Sequence, residues 1–121
     1  MARTVIPMIH VPDVRATATW YTDLGFTVLA IHPGHDDPDW AMLAFGEGRI
    51  MLNAGGRPSA AERREVDLYV YAEDVPALAR RLAARVEVIE TVHETEYGMR
   101  GLIIRDLNGF WVTFGEEVSR P

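Results

Sequence analysis

Apolar and β-branched residues dominate from Thr4 to Val11, the pattern of a strand. Val14, Ala18, Tyr21 and Leu24 then recur at helical spacing. Asp13 stands before them, where its carboxylate can accept the free amide hydrogens of a first turn. Gly25 stands after them as a stop that tolerates positive φ. The spacing predicts a helix over 14–24. Strands are predicted over Phe26–Ile31, Trp40–Phe45 and Arg49–Asn53, separated by a loop at Pro33–Pro38 and a turn at Gly46-Glu47-Gly48.

The same order then recurs. Val66–Tyr71 reads as a strand and Asp74 as a second N-cap. Val75, Leu78, Ala79 and Leu82 form a helical stripe, with Pro76 in the first turn, where its missing N–H does little harm. Strands follow over Val86–Val92, Met99–Arg105 and Phe110–Phe114, the last two joined by the turn Asp106-Leu107-Asn108-Gly109. Ile6 through Val14 align with Asp67 through Val75 at one constant offset. The expectation is an α+β chain of two βαβββ modules. It is organised as a single domain over 1–121, with module one at 4–54, a linker at 55–64 and module two at 65–116. A repeated unit that cannot bury its sheet face alone must pack against another copy.

Strand parity separates two faces, because side chains alternate with period two. Val5, Ile9 and Val11 oppose Ile6, Met8 and His10. Ile50 and Leu52 oppose Arg49, Met51 and Asn53. Val66, Leu68 and Val70 oppose Asp67, Tyr69 and Tyr71, and Phe110, Val112 and Phe114 oppose Trp111, Thr113 and Gly115. One face is almost wholly apolar and belongs under a helix. The other mixes aromatic, sulfur and polar groups, which is the character of a ligand cleft as well as of a solvated sheet face. Large aromatics at Tyr69, Tyr71 and Trp111 favour the cleft, since they are costly to leave in water. Trp40 and Phe45 lie on a strand whose parity the sequence leaves open, so each is a cleft wall or a core residue.

Composition narrows the function. The 121 residues hold 12 basic and 18 acidic side chains, a net charge of −6 that disfavours nucleic acid. There is no cysteine, so disulfides and thiolate metal sites are excluded. No apolar run is long enough for a membrane span and the N-terminus lacks a signal-peptide pattern, so a cytoplasmic protein is expected. The four histidines show no HxH or HxxxH spacing. No nucleophile stands near a base in sequence, and Gly55-Gly56 lacks the lysine of a phosphate loop. No catalytic residue and no cofactor is assigned.

Asp13 with Trp20-Tyr21 and Leu24-Gly25-Phe26, Asp74 with its helix, Tyr97-Gly98-Met99-Arg100, and Arg105-Asp106-Leu107-Asn108-Gly109 together resemble the vicinal oxygen chelate proteins. This is the glyoxalase, bleomycin-resistance and dioxygenase superfamily, and the likeness runs from about residue 4 to 116. Leu107 stands where that family more often has proline. The resemblance implies that the two βαβββ modules form a curved mixed sheet around a cleft, and that the protein is a homodimer whose clefts are completed by both chains. It also implies a divalent-metal site in the family's enzymes, and its four ligand positions fall on Ile6, Met51, Asp67 and Thr113. Isoleucine has no donor, a thioether suits copper(I), and threonine is a poor ligand, so no metal is expected. The resemblance then implies the bleomycin-resistance-like branch, which binds and sequesters a planar, cationic small molecule. The ligand-binding set is His10, Trp40, Phe45, Met51, Asn53, Asp67, Tyr69, Tyr71, Trp111 and Thr113. The alternatives are a glyoxalase-like lyase or isomerase or a dioxygenase with displaced ligands, a metal-free catalyst using His10 as base, and a structural or regulatory dimer without a small ligand.

Overall fold

The computed structural model describes residues 3–118. It contains β1 (Met8–His10), α1 (Val14–Leu24), β2 (Thr27–His32), β3 (Trp40–Phe45) and β4 (Gly48–Asn53). These are followed by β5 (Leu68–Tyr71), α2 (Val75–Leu82), β6 (Glu87–Glu94), β7 (Met99–Arg105) and β8 (Trp111–Glu117). The chain is α+β, with two βαβββ modules. Each carries its own four-stranded mixed sheet, ordered β1-β4-β3-β2 in one and β5-β8-β7-β6 in the other. In each sheet one pair is parallel, β1 with β4 and β5 with β8, because the intervening helix is the crossover.

In the first module α1 lies against β2, β3 and β4. Asp13 accepts the Ala16 amide at 2.9 Å, and Gly25 closes the helix at φ +114, where a side chain would be strained. Val14, Ala18, Tyr21 and Leu24 are buried. Tyr21 is fully enclosed and meets Phe26 edge-on with centroids 5.1 Å apart. The predicted first strand shrinks to Met8–His10, although Pro7 still accepts the Met51 amide at 2.9 Å.

In the second module α2 lies against β6, β7 and β8. Asp74 caps it through the Ala77 amide at 3.2 Å while adopting φ +50 itself. Glu116, on β8, accepts the amides of Asp74 and Val75 at 2.9 and 3.0 Å, so the sheet supplies a second cap that parity alone does not reveal. Arg100 holds that carboxylate at 3.1 Å. Asp106 is buried and accepts the Asn108 and Phe110 amides, each at 2.8 Å, which pins the β7–β8 turn.

The stretch expected as a linker divides. Gly56 donates to Val11 and approaches the His10 backbone too closely for any Cβ, so it belongs with β1. Residues 59–64 belong to the second compact unit instead. Arg64 donates its amide to Gly109 and its guanidinium to Asn108, and lies over the Phe110 ring at 4.5 Å. Arg105 donates to the Ala61 carbonyl at 2.8 Å.

Parity gives a stability prediction. Phe114 is fully buried on the helix-facing side of β8, so Phe114→Ala should lower the unfolding free energy by about 3–5 kcal/mol in urea titration. A loss below about 1 kcal/mol would mean that this face is not the core.

Candidate functional site

The apolar row of each sheet is consumed by its helix, and what remains outward is the candidate site. In the first module, register sets His10 beside Asn53, Asn53 beside Trp40, and Trp40 beside His32, across β1-β4-β3-β2. The neighbouring row sets Met8 beside Met51 and Met51 beside Met42. Ala41 and Leu43 are fully buried, which places Trp40 and Met42 on the opposite, mixed face. Thioethers beside an indole make an adaptable apolar floor. His10 lies at the edge, with Nδ1 donating to the Ala54 carbonyl at 3.4 Å.

Phe45 does not join this set. Its ring packs on Phe26 with centroids 5.0 Å apart, and a Cβ at Gly25 would lie 3.5 Å from it. Phe45 shares parity with Ala41 and Leu43, on the helix side, and is half-buried.

In the second module the mixed face carries Tyr69 and Tyr71 from β5, Trp111 and Thr113 from β8, and Ile103 and Arg105 from β7. Tyr69 and Tyr71 lie with ring centroids 5.1 Å apart. Partial burial pushes the Tyr69 phenol above its ordinary pKa, with Tyr97 and Tyr71 adding to the effect. It therefore stays a hydrogen-bond donor at neutral pH. Tyr71 and Tyr97 are 73% and 75% exposed.

Trp111 is engaged on two sides. Its indole N–H donates to the Glu62 carbonyl at 3.1 Å. The Arg63 guanidinium lies over its ring at 4.2 Å from the centroid. Arg63 is held there by Asp67, whose carboxylate accepts Nε at 3.2 Å and also pairs with Nη2. That pairing raises the Arg63 pKa further, so the cation is permanent. Asp67, expected as a free polar contact, instead anchors a positive charge on the aromatic wall. Sequence reasoning missed Arg63 because it lies in the supposed linker. Its one legible signal was the opposite charge four residues on.

His93 was also missed as a member of this face. Register shifts between Val88 and Glu90 and between Glu90 and His93 bring it opposite Gly101, and bulges of this kind leave no periodic trace.

The positions that the resemblance gives to metal ligands hold Ile6, Met51, Asp67 and Thr113. Asp67, the one hard donor, is already paired to Arg63. Among the described residues, no group of three or more His, Asp or Glu side chains could hold a metal ion. These donors do not fit the divalent site of the family's enzymes.

Doubled βαβββ modules with helix-capping aspartates and a tight β7–β8 turn define the class of vicinal oxygen chelate folds. The chain belongs to the Glyoxalase/Bleomycin resistance protein/Dioxygenase superfamily, whose family model matches residues 4–114. Among solved structures it is similar to TioX from Micromonospora sp. ML1, at 20% identity and a TM-score of 0.77, covering 98% of this chain and 99% of that one. A protein of unknown function from Agrobacterium tumefaciens str. C58 has 25% identity and a TM-score of 0.77, with coverage of 98% and 96%. A bleomycin-binding protein in complex with bleomycin has 16% identity and a TM-score of 0.71, with coverage of 96% and 99%. No match is found among the curated proteins.

The Arg63–Trp111 contact is directly measurable. Arg63→Ala should uncover one face of the indole and raise acrylamide quenching, with Trp111→Phe identifying the signal against Trp20 and Trp40. Quenching unchanged from wild type would mean that the guanidinium does not shield the ring in solution.

Proposed function

We propose that the protein binds and sequesters a planar, cationic small organic molecule on the mixed faces of its sheets, without a metal. The observation that carries this reading is the guanidinium on Trp111. The guanidinium 4.2 Å from the centroid marks an indole face whose quadrupole attracts a planar cation, and a ligand that took the place of Arg63 would meet the same face. Net negative charge favours the approach of such a ligand. Tyr69, Tyr71, Trp40 and the methionine row offer apolar area, and His10, Asn53 and Thr113 offer polar contacts. The bleomycin-binding neighbour supports the same ligand class.

In this reading the protein is a homodimer and acts in antibiotic resistance in the cytoplasm. No helix among the described residues is long and apolar enough to cross a membrane, and the acidic charge argues against nucleic acid as a partner. With no donor set for a divalent ion, the lyase, isomerase and dioxygenase chemistries of the superfamily lose their electrophile, so binding ranks above catalysis.

Indole fluorescence tests the reading with bleomycin and other planar cationic compounds as probes. Binding should be tighter than about 100 μM, near −5.5 kcal/mol, and Trp111→Ala should weaken it by roughly 1–3 kcal/mol. If every probe binds more weakly than that, or Trp111→Ala leaves a measured affinity unchanged, the stacking reading fails. Elemental analysis gives a separate check. Protein purified without chelator should carry well under one equivalent of any divalent ion, and near-stoichiometric metal would contradict the reading.

A further inference from the structure

On the mixed face of the second sheet, Gly101 and Gly115 are paired neighbours on the two central strands, β7 and β8. A side chain at Gly115 would displace the Tyr69 ring, and one at Gly101 would crowd the His93 ring. A Cβ at Gly115 would lie 2.8 Å from Tyr69 Cζ, with the phenol oxygen nearer still. A Cβ at Gly101 would lie 3.2 Å from both Cε1 and Nε2 of His93. Tyr69 reaches inward from the edge strand β5, and His93 reaches inward from the opposite edge strand β6. Two polar atoms from opposite edges thus end over a floor of two glycines.

Their chemistry is complementary. His93 Nδ1 lies 2.8 Å from the Thr91 carbonyl, which can only accept, so Nδ1 carries the proton. Glu90 lies 3.7 Å from the same nitrogen and favours the same tautomer. In the neutral ring Nε2 is then left with its lone pair over Gly101. The Tyr69 hydroxyl can donate. Each atom overlies one of two paired glycines on adjacent strands. An oxygen seated between them can lie within hydrogen-bond distance, about 2.8 Å, of each. One hydroxyl satisfies that arrangement, donating to His93 and accepting from Tyr69. An ether lacks the proton that Nε2 requires.

We infer that Tyr69 Oη and His93 Nε2 form a seat for a single ligand hydroxyl, of a phenol or alcohol, over the Gly101–Gly115 floor. The seat rests on the binding function proposed above and names a feature of the ligand that stacking does not require. Neighbouring Tyr71 and Ile103 supply apolar contact for the ring that bears the hydroxyl.

The test uses full-length protein with 2-naphthol and 2-methoxynaphthalene as matched probes, followed by NMR titration. Naphthol should bind about tenfold more tightly than its methyl ether, because the ether oxygen can still accept from Tyr69 but leaves Nε2 without a donor. His93→Phe should reduce that preference to about twofold or less, and Tyr69→Phe should weaken both probes. In the unliganded wild type, side-chain nitrogen shifts should show His93 protonated on Nδ1, a readout that needs no variant to fold. Equal affinity for the two probes, no naphthol binding, a preference kept in His93→Phe, Tyr69→Phe binding both probes as wild type does, or an Nε2–H tautomer would each overturn the seat. Planar cations that still bind in that event leave the proposed function standing. If neither cations nor naphthol bind, both fail.

Discussion

Each helix must cover one face of its sheet, and this burial decides what the other face can present. In the second module Leu102, Ile104, Val112 and Phe114 point toward α2 and are almost wholly removed from water. Each such side chain is worth about 1.5–3 kcal/mol when buried. Sliding one strand by a single residue would exchange these for Ile103, Thr113 and Arg105. The register is therefore fixed by the core, and Trp111, Thr113, Gly101 and Gly115 occupy the outer face as its consequence. The same constraint operates in the first module, where burial of Ala41, Leu43, Ile50 and Leu52 leaves Trp40, Met42, Met51 and Asn53 on the mixed face.

The caps and turns carry that registration into the loops. Asp13 and Asp74 start the helices, Glu116 adds a cap from the sheet, and Asp106 fixes the turn that sets β7 against β8. Arg105 and Trp111 stand opposite each other at that turn. Both hold the backbone of residues 61–62, and so position Arg63 over the indole. The aromatic wall of the candidate site is thus built partly by a segment that contributes to neither sheet.

Much of this architecture was legible in the sequence because it follows from local rules. Helix α1 was readable end to end from Asp13, its four apolar positions and Gly25, and β3 and β7 have the expected bounds. Opposed apolar and mixed faces followed from period-two alternation in β4, β5 and β8. What escaped depends on contacts between distant residues. The docking of residues 59–64 needs the β7–β8 hairpin to exist first. His93 reaches the mixed face only through irregular register in β6. The parity of Phe45 was undecidable until Phe26 and Gly25 were beside it.

The proposed function requires that the outward face of the sheet around Trp111, and not another surface, receive a planar cation. Amide and indole chemical-shift mapping with such a compound addresses it most directly. The account predicts shifts concentrated at the Trp111 indole N–H, at β5 and β8, and at residues 62–67. Shifts confined to the apolar pocket between α2 and β6, lined by Ala79, Val88 and Val92, with the Trp111 indole unmoved, would contradict it.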